Sequence, residues 1–238
     1  MDNAIYATLT RQSGLMREMQ TVANNLANIS TAGFRREGVI FSEHVAALDG
    51  NEPSLSMADA NGRNVNLAQG PISNTGGTFD FAIEGDGFFM IQTPQGNQLT
   101  RAGSFTPGPE GELVNMDGYP LLDNGGAAIS VPSTARTIAL ATDGTLSADG
   151  TPIAQVGVYT PNDPNGLVHS GGTRFTAEAG AEIMENPVIL QGYVEESNVD
   201  PVSEITRMIE VQRAYELGQT FLDREDERIR AVISTLSR

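Results

Sequence analysis

The side chains that most often do chemistry are thinly supplied in this chain: two histidines, no cysteine, and fourteen basic residues, all of them arginine. His44 and His169 are far apart and neither belongs to an H-E-x-x-H or comparable ligand pattern, so both are expected at surface or interface positions and not on a metal or at a general base. The missing cysteine removes disulfides, thiolate metal sites and thiol nucleophiles together. Gly85-Asp86-Gly87-Phe88 suggests a phosphate loop, but no lysine follows and the glycine spacing is incomplete; a hairpin turn explains it better. Glu195-Glu196 and the acids from Asp223 to Glu227 come nearest to a glycosidase pair. Adjacent acids on a strand or helix point in different directions, which favours solvation or pairing with Arg224 and Arg228. The expectation is a protein that is not an enzyme, with no catalytic residues, no cofactor and no metal.

Charge placement narrows the partners. The formal net charge is −16, yet residues 1–36 hold four arginines against two acids and residues 200–238 six against eight, leaving four against twenty in the middle. A middle of that sign repels a nucleic-acid backbone or an anionic membrane, so no nucleic acid is expected as a partner. The N-terminus shows no basic stretch followed by an apolar run, and no segment is long enough without charge to cross a bilayer, so neither a cleaved signal peptide nor membrane insertion is expected.

The elements that must carry any function are read from periodicity. Ile5, Leu9, Gln12, Met16, Met19, Ala23 and Leu26 alternate by four and three, the spacing of a helix seam. Ile205, Met208, Gln212, Tyr215, Gln219, Leu222, Asp226, Ile229, Ile233 and Leu236 repeat it after Asp200-Pro201, where Asp can cap and Pro fits the first turn. Polar seam positions such as Gln12, Gln212, Gln219 and Asp226 point to a seam that specifies register or partner at some cost in stability. Between these helices lie short apolar runs, among them Phe79 to Ile83, Gly87 to Gln92, Ile138 to Leu140 and Val156 to Tyr159. Asp86-Gly87, Asp117-Gly118, Asp143-Gly144 and Asp149-Gly150 supply the turns. The predicted fold class is α+β: long N- and C-terminal helices forming a coiled-coil-like pair, with an inserted all-β domain of hairpins. The expected divisions are an N-terminal helix over 1–36, an extended linker over 37–70, a β domain over 71–199 and a C-terminal helix over 200–238. A monomer whose end helices simply pack on the β domain is the competing architecture.

Three ordered segments carry a resemblance. The run from Ala23-Asn24-Asn25-Leu26-Ala27-Asn28 through Gly33-Phe34-Arg35-Arg36 puts amides on more than one helix face and a glycine where the chain leaves the helix. Ala82-Ile83-Glu84-Gly85-Asp86-Gly87-Phe88-Phe89 is followed by Thr100-Arg101-Ala102-Gly103-Ser104-Phe105 and by Gly111 to Leu121. Gly192-Tyr193-Val194-Glu195-Glu196-Ser197-Asn198 leads to Gln212-Arg213-Ala214-Tyr215-Glu216. Together they resemble the flagellar rod and hook axial family, at both ends and the centre of the chain. The start Met1-Asp2-Asn3-Ala4-Ile5-Tyr6 and the modest length are closer to the family's proximal-rod subunits than to its longer distal-rod and hook members. Thr100, where relatives usually have tyrosine, and Arg35 and Arg36, where many have lysine, are departures expected to touch the surface more than the architecture.

The resemblance implies a structural subunit of the flagellar rod in the basal body, spanning the periplasm, exported unfolded by the flagellar type III apparatus and assembled helically with other rod proteins and copies of itself. Assembly contacts are then expected at Ile5, Leu9, Met16, Met19, Asn24, Asn25, Leu26, Asn28, Gly33 and Phe34, and at Ile205, Met208, Gln212, Tyr215, Leu222, Ile229, Ile233 and Leu236. The free protein is expected to be monomeric with mobile ends. Phe41 to Val45 has the spacing of an export-gate motif, a pattern common enough by chance to carry little weight. The alternatives are a distal-rod or hook subunit and a secreted β-rich carbohydrate-binding protein, the last distinguished by glycan binding to the isolated β domain.

Overall fold

The computed structural model describes the backbone of residues 2–46 and 55–236 and the side chains of 5–42 and 62–236. Helix α1 spans Asp2–Ala27 and α2 spans Pro201–Leu236, so the α+β class holds. The chain forms two compact units. One gathers α1, residues 37–64 and α2; the other holds residues 28–36 and 65–199.

In the helical unit the two helices pack with opposite sense. The Gln12 side-chain amide donates to the Tyr215 carbonyl at 2.9 Å, Arg207 Nε donates to Glu18 Oε1 at 2.6 Å, and Asn25 Nδ2 donates to Glu204 Oε2 at 3.2 Å. Residue numbers rise on one helix as they fall on the other. The side of α1 turned inward carries Gln12, Leu15, Glu18, Val22 and Asn25, all buried. On α2 the positions Glu204, Met208, Val211, Tyr215, Gly218, Leu222 and Glu225 are buried or half-buried, in steps of four and three, with Ala214 half-buried beside them.

This inward face differs from the predicted one. Met208, Tyr215 and Leu222 lie where the periodicity puts them. Leu9, Met16 and Ile205 are exposed at 48%, 39% and 48%, and Gln212, Gln219 and Asp226 also face outward. At every second position the inward residue is the one before the predicted one: Glu204 for Ile205, Val211 for Gln212, Gly218 for Gln219. Gly218 shows why. A Cβ there would lie 2.3 Å from the Gln12 amide nitrogen, so a glycine lets the helices meet at this height with the Gln12 side chain in place.

The predicted linker over 37–70 is instead largely strand. Glu37–Ala46 and Leu55–Val65 pair as a two-stranded ribbon. Gly38 faces the Asn64 carbonyl and Gly62 faces Ile40, the crossing register of an antiparallel pair. Ile40 and Phe41 point to opposite sides and are exposed at 49% and 40%. The run Val39-Ile40-Phe41 shows no apolar alternation, which is why this stretch reads as linker. The Gly50 to Pro53 stretch, the Val45 side chain of the export-type spacing and the His44 side chain lie outside the described residues.

The β unit centres on a six-stranded sheet, in spatial order Leu167–His169, Arg174–Ala177, Gly96–Thr100, Phe88–Thr93, Val158–Pro161 and Ala181–Ile183. Ile138–Leu140, Thr145–Ala148 and Thr151–Gln155 form a second, three-stranded sheet. Phe88 and Phe89 are neighbours in one strand and therefore serve opposite faces. Phe89 joins Phe81, Ile83, Ile91, Phe105, Leu121 and Leu146 in the larger core, while Phe88 joins Leu99, Tyr159, Leu167 and Phe175 in the smaller. Two strand pairs bring the motif-bearing segments together: Phe81–Glu84 pairs with Val188–Gln191, and Ile72–Asn74 with Tyr193–Glu195.

Candidate functional site

The three motif segments hold the structure's most concentrated buried electrostatics. Within the β unit, Glu195 sits between two arginines: Arg35 Nη1 lies 2.7 Å from Oε1 and Arg101 Nη1 lies 2.9 Å from Oε2, with all three side chains 1–2% exposed. Each also binds backbone. Gly70 N donates to Glu195 Oε1 at 2.8 Å, Arg35 donates to the Ala68 carbonyl, and Arg101 Nη2 donates to the Gly85 carbonyl at 2.6 Å. Arg101 also lies over the Phe88 ring at 5.3 Å. Burial holds both guanidiniums below the ordinary arginine range. Arg101 falls to about 10, with desolvation outweighing attraction to Glu195 and repulsion from Arg35 adding to it.

Arg35 and Thr100, expected to touch mainly the surface, are 1% and 0% exposed and belong to the architecture. Glu195 is not a solvated acid or a partner of Arg224 or Arg228; only its neighbour Glu196 is exposed. The acids of α2 do pair locally, Glu225 with Arg228 at 2.6 Å and Asp226 with Arg230 at 2.8 Å. His169 is partly buried, its ring 6.3 Å from Phe34 and 5.4 Å from Phe175.

The segment leaving the first helix is clamped residue by residue. Gly33 has φ +73° and its amide donates to the Glu195 carbonyl at 2.7 Å; a Cβ would lie 2.2 Å from the Ala102 nitrogen. Phe34 is 1% exposed. Arg36 N donates to Asn198 Oδ1 at 2.6 Å, and the Asn198 amide donates to the Asn66 and Ala68 carbonyls. Asn28 caps a turn through its contact with Thr31. In the helical unit, Asn25 exchanges two hydrogen bonds with the Glu37 backbone, at 2.8 and 3.0 Å. Asn25, Gly33 and Phe34 are thus engaged inside their own units, and Asn24 and Leu26 are half-buried on α1. Arg101 and Glu195 are 94 residues apart, and periodicity has no access to such a pair; the only trace is that both fall inside the matched segments.

The remaining expected contact residues are largely displayed. Ile205, Ile229, Ile233 and Leu236 are 48%, 41%, 60% and 82% exposed, alongside Leu9 and Met16. Ile5, Met19, Met208, Tyr215 and Leu222 are half-buried and Gln212 is exposed. Further apolar side chains, Tyr6, Val202, Ile209, Leu217 and Val232, are exposed on the same two helices. Both helices thus carry one set of apolar residues inward and another outward. Among the described residues no cluster of metal-ligating side chains occurs, and no helix is long and apolar enough to cross a membrane.

Known proteins are similar to this chain in sequence from end to end. Residues 5–35 match the family described as flagella basal body rod protein, residues 82–148 the flagellar hook protein FlgE/F/G D1 domain, and residues 190–235 the flagellar basal body rod FlgEFG protein C-terminal family. The chain is 38% identical to the flagellar basal-body rod protein FlgF of Caulobacter vibrioides, covering 100% of this chain and 99% of that protein. The chain belongs to the flagellar basal-body rod family. FlgF of Mesorhizobium japonicum is 37% identical over 91% of the chain and 90% of its own length. FlgG of Buchnera aphidicola from Acyrthosiphon pisum is 32% identical over 88% and 90%. The three segments matched in this rod-family chain contain nearly all of α1 with its exit as far as Arg35, the β segment from Ala82 through Arg101 to Ala148, and Glu195 with nearly all of α2.

Proposed function

We propose that this chain is a structural subunit of the proximal part of the flagellar rod, assembling helically with other rod proteins and with copies of itself into a shaft that transmits torque. The observation that carries this reading is the end-to-end similarity to rod proteins, on a chain whose two terminal helices display apolar side chains outward. The FlgF relatives named above are 37–38% identical and the FlgG relative 32%, and the proximal position is supported by the likeness of Met1 to Tyr6 and of the modest length to the family's proximal-rod subunits. The helices act as a coiled-coil-like pair that gains further partners from neighbouring subunits, and the β unit forms the outer layer. Contacts that do not close into a ring generate a helical filament. Export unfolded through the flagellar type III apparatus, without a cleaved signal peptide, completes the proposal.

The test is to isolate hook–basal bodies from cells carrying a tagged chain and to localise it by mass spectrometry and labelled electron microscopy. Presence in the proximal rod is expected; a distal or hook position corrects the subtype, and absence defeats the proposal. Removing residues 2–27 should abolish motility and leave a folded β unit. The cut belongs before Asn28, because Arg35 is part of the β unit's buried ion network.

A further inference from the structure

One apolar side chain stands apart from those on the helices. Met116 is 94% exposed, more than any other large apolar residue described, and it occupies the tip of a tight hairpin where polar residues are usual. The tip is well ordered by its own bonds: Asn115 Oδ1 accepts from the amides of Asp117 at 3.1 Å and Tyr119 at 2.9 Å, and Gly118 N donates to the Asn115 carbonyl at 3.0 Å. Asp117 beside it is 55% exposed, 3.6 Å from Arg174.

The β unit also holds a cleft of about 600 Å³ walled by Phe79, Pro107, Pro109, Val131, Pro132 and Ile138. That volume lies in the range of binding sites and exceeds what one side chain fills, so it suits a hairpin tip. Its edge carries Glu110 and, next to the lining residue Ala135, Arg136. Arg136 forms no ion pair among the described residues, and it is its backbone amide that meets Asp149. Tip and cleft thus present matching charges, Asp117 with Arg174 on one and Arg136 with Glu110 on the other.

We propose that the Met116 hairpin tip of one copy seats in the proline-walled cleft of a second copy. The two features flank one short strand. The turn at Gly108 to Gly111 lies before Leu113–Val114 and the tip follows it, with Pro107 opposite Leu113 and Pro120 opposite Val114. Because the chain enters and leaves this strand at its two ends, tip and cleft are different surfaces. The proposed contact is the one-way form, the tip of each copy in the cleft of the next, which is heterologous and can propagate from copy to copy, whereas a reciprocal exchange would close as a dimer and give no ladder. This inference rests on the reading of the chain as a self-assembling rod subunit.

The chain has no cysteine, so introduced pairs report without background. Cells expressing only the M116C/S133C chain are oxidised and their hook–basal bodies isolated, with M116C/T151C as the control pair. A ladder of disulfide-linked copies is expected from the first and monomer from the second. Asp117→Arg in the first should lower the linked fraction several-fold, and Arg136→Asp should restore it. If the chain enters the basal body but the M116C/S133C pair links no more than the control, the contact is refuted while the rod assignment stands. Absence of all variants and of the unaltered chain from the basal body overturns both.

Discussion

Glu195 is the side chain on which the β unit's motif segments converge. Replacing it with glutamine leaves two buried arginines facing each other with no carboxylate, and breaking a buried pair in this way costs about 3–5 kcal/mol. Urea unfolding of Glu195→Gln should show a loss of that size, with the transition of the β unit shifted most. An apolar substitution of all three partners is not expected to recover stability here. The arginines and the glutamate also satisfy the backbone of Ala68, Gly70 and Gly85, and each group orphaned in burial costs about 1–3 kcal/mol. At Gly33 the penalty is conformational. A φ of +73° and a nearby backbone nitrogen leave no room for a Cβ, so Gly33→Ala should destabilise by at least about 1–2 kcal/mol in the same assay.

At the scale of elements, the start of α2 depends on a titrating cap. Asp200 accepts from the Ser203 hydroxyl and from the amides of Val202 and Ser203, and these bonds to its ionised form, the hydroxyl's first, hold the carboxyl below its usual range. A depressed carboxyl stabilises the fold above its unfolded value and loses that contribution as pH falls through the folded one. Amide exchange at Val202 and Ser203 should therefore stay slow through the ordinary carboxylate range and accelerate only below it. Asp200→Asn should keep the cap and lose the pH dependence. The cap was legible because Asp200-Pro201 is a local signal. The inward faces of the helices were half legible: with Gln12, Glu18, Asn25 and Glu204 buried, polarity does not mark the outside. Gly218 is the clearest case. Gly218→Ala raises helix propensity by about 0.8–1 kcal/mol but drives into the Gln12 amide, so a double-mutant cycle with Gln12→Ala should give a coupling of at least about 0.5 kcal/mol. The ribbon over Glu37–Ala46 and Leu55–Val65 was not legible, since runs such as Val39-Ile40-Phe41 and Gly62-Arg63-Asn64 show no alternation of apolar and polar residues. Turns such as Asp143-Gly144 and Asp149-Gly150, with glycines at φ +87° and +81°, were plain because the backbone itself demands the residue.

For the whole molecule, the unequal helices matter most. With Gln12 beside Tyr215 and Glu18 beside Arg207, the start of α1 is reached near Glu225, and the rest of α2, Asp226 to Leu236, continues about three turns or roughly 16 Å with no part of α1 opposite it. Ile229, Val232, Ile233 and Leu236 are all exposed there. A helix end of this length with nothing of α1 against it gains little from packing in the free chain, and under the proposed assembly a neighbouring subunit is expected to stabilise it. Hydrogen exchange of the dilute chain should show protection falling after Leu222 and rising along Asp226 to Leu236 on assembly. The decisive variant is Ile229→Asp with Ile233→Asp. Surface changes away from intrachain contacts usually alter stability by about 0.5 kcal/mol or less, so the urea midpoint of the free chain should hold. Motility and incorporation into the basal body should be lost. A variant that unfolds more easily would mean these residues pack within the chain, and one that swims normally would mean that the exposed end of α2 is not where the rod is joined.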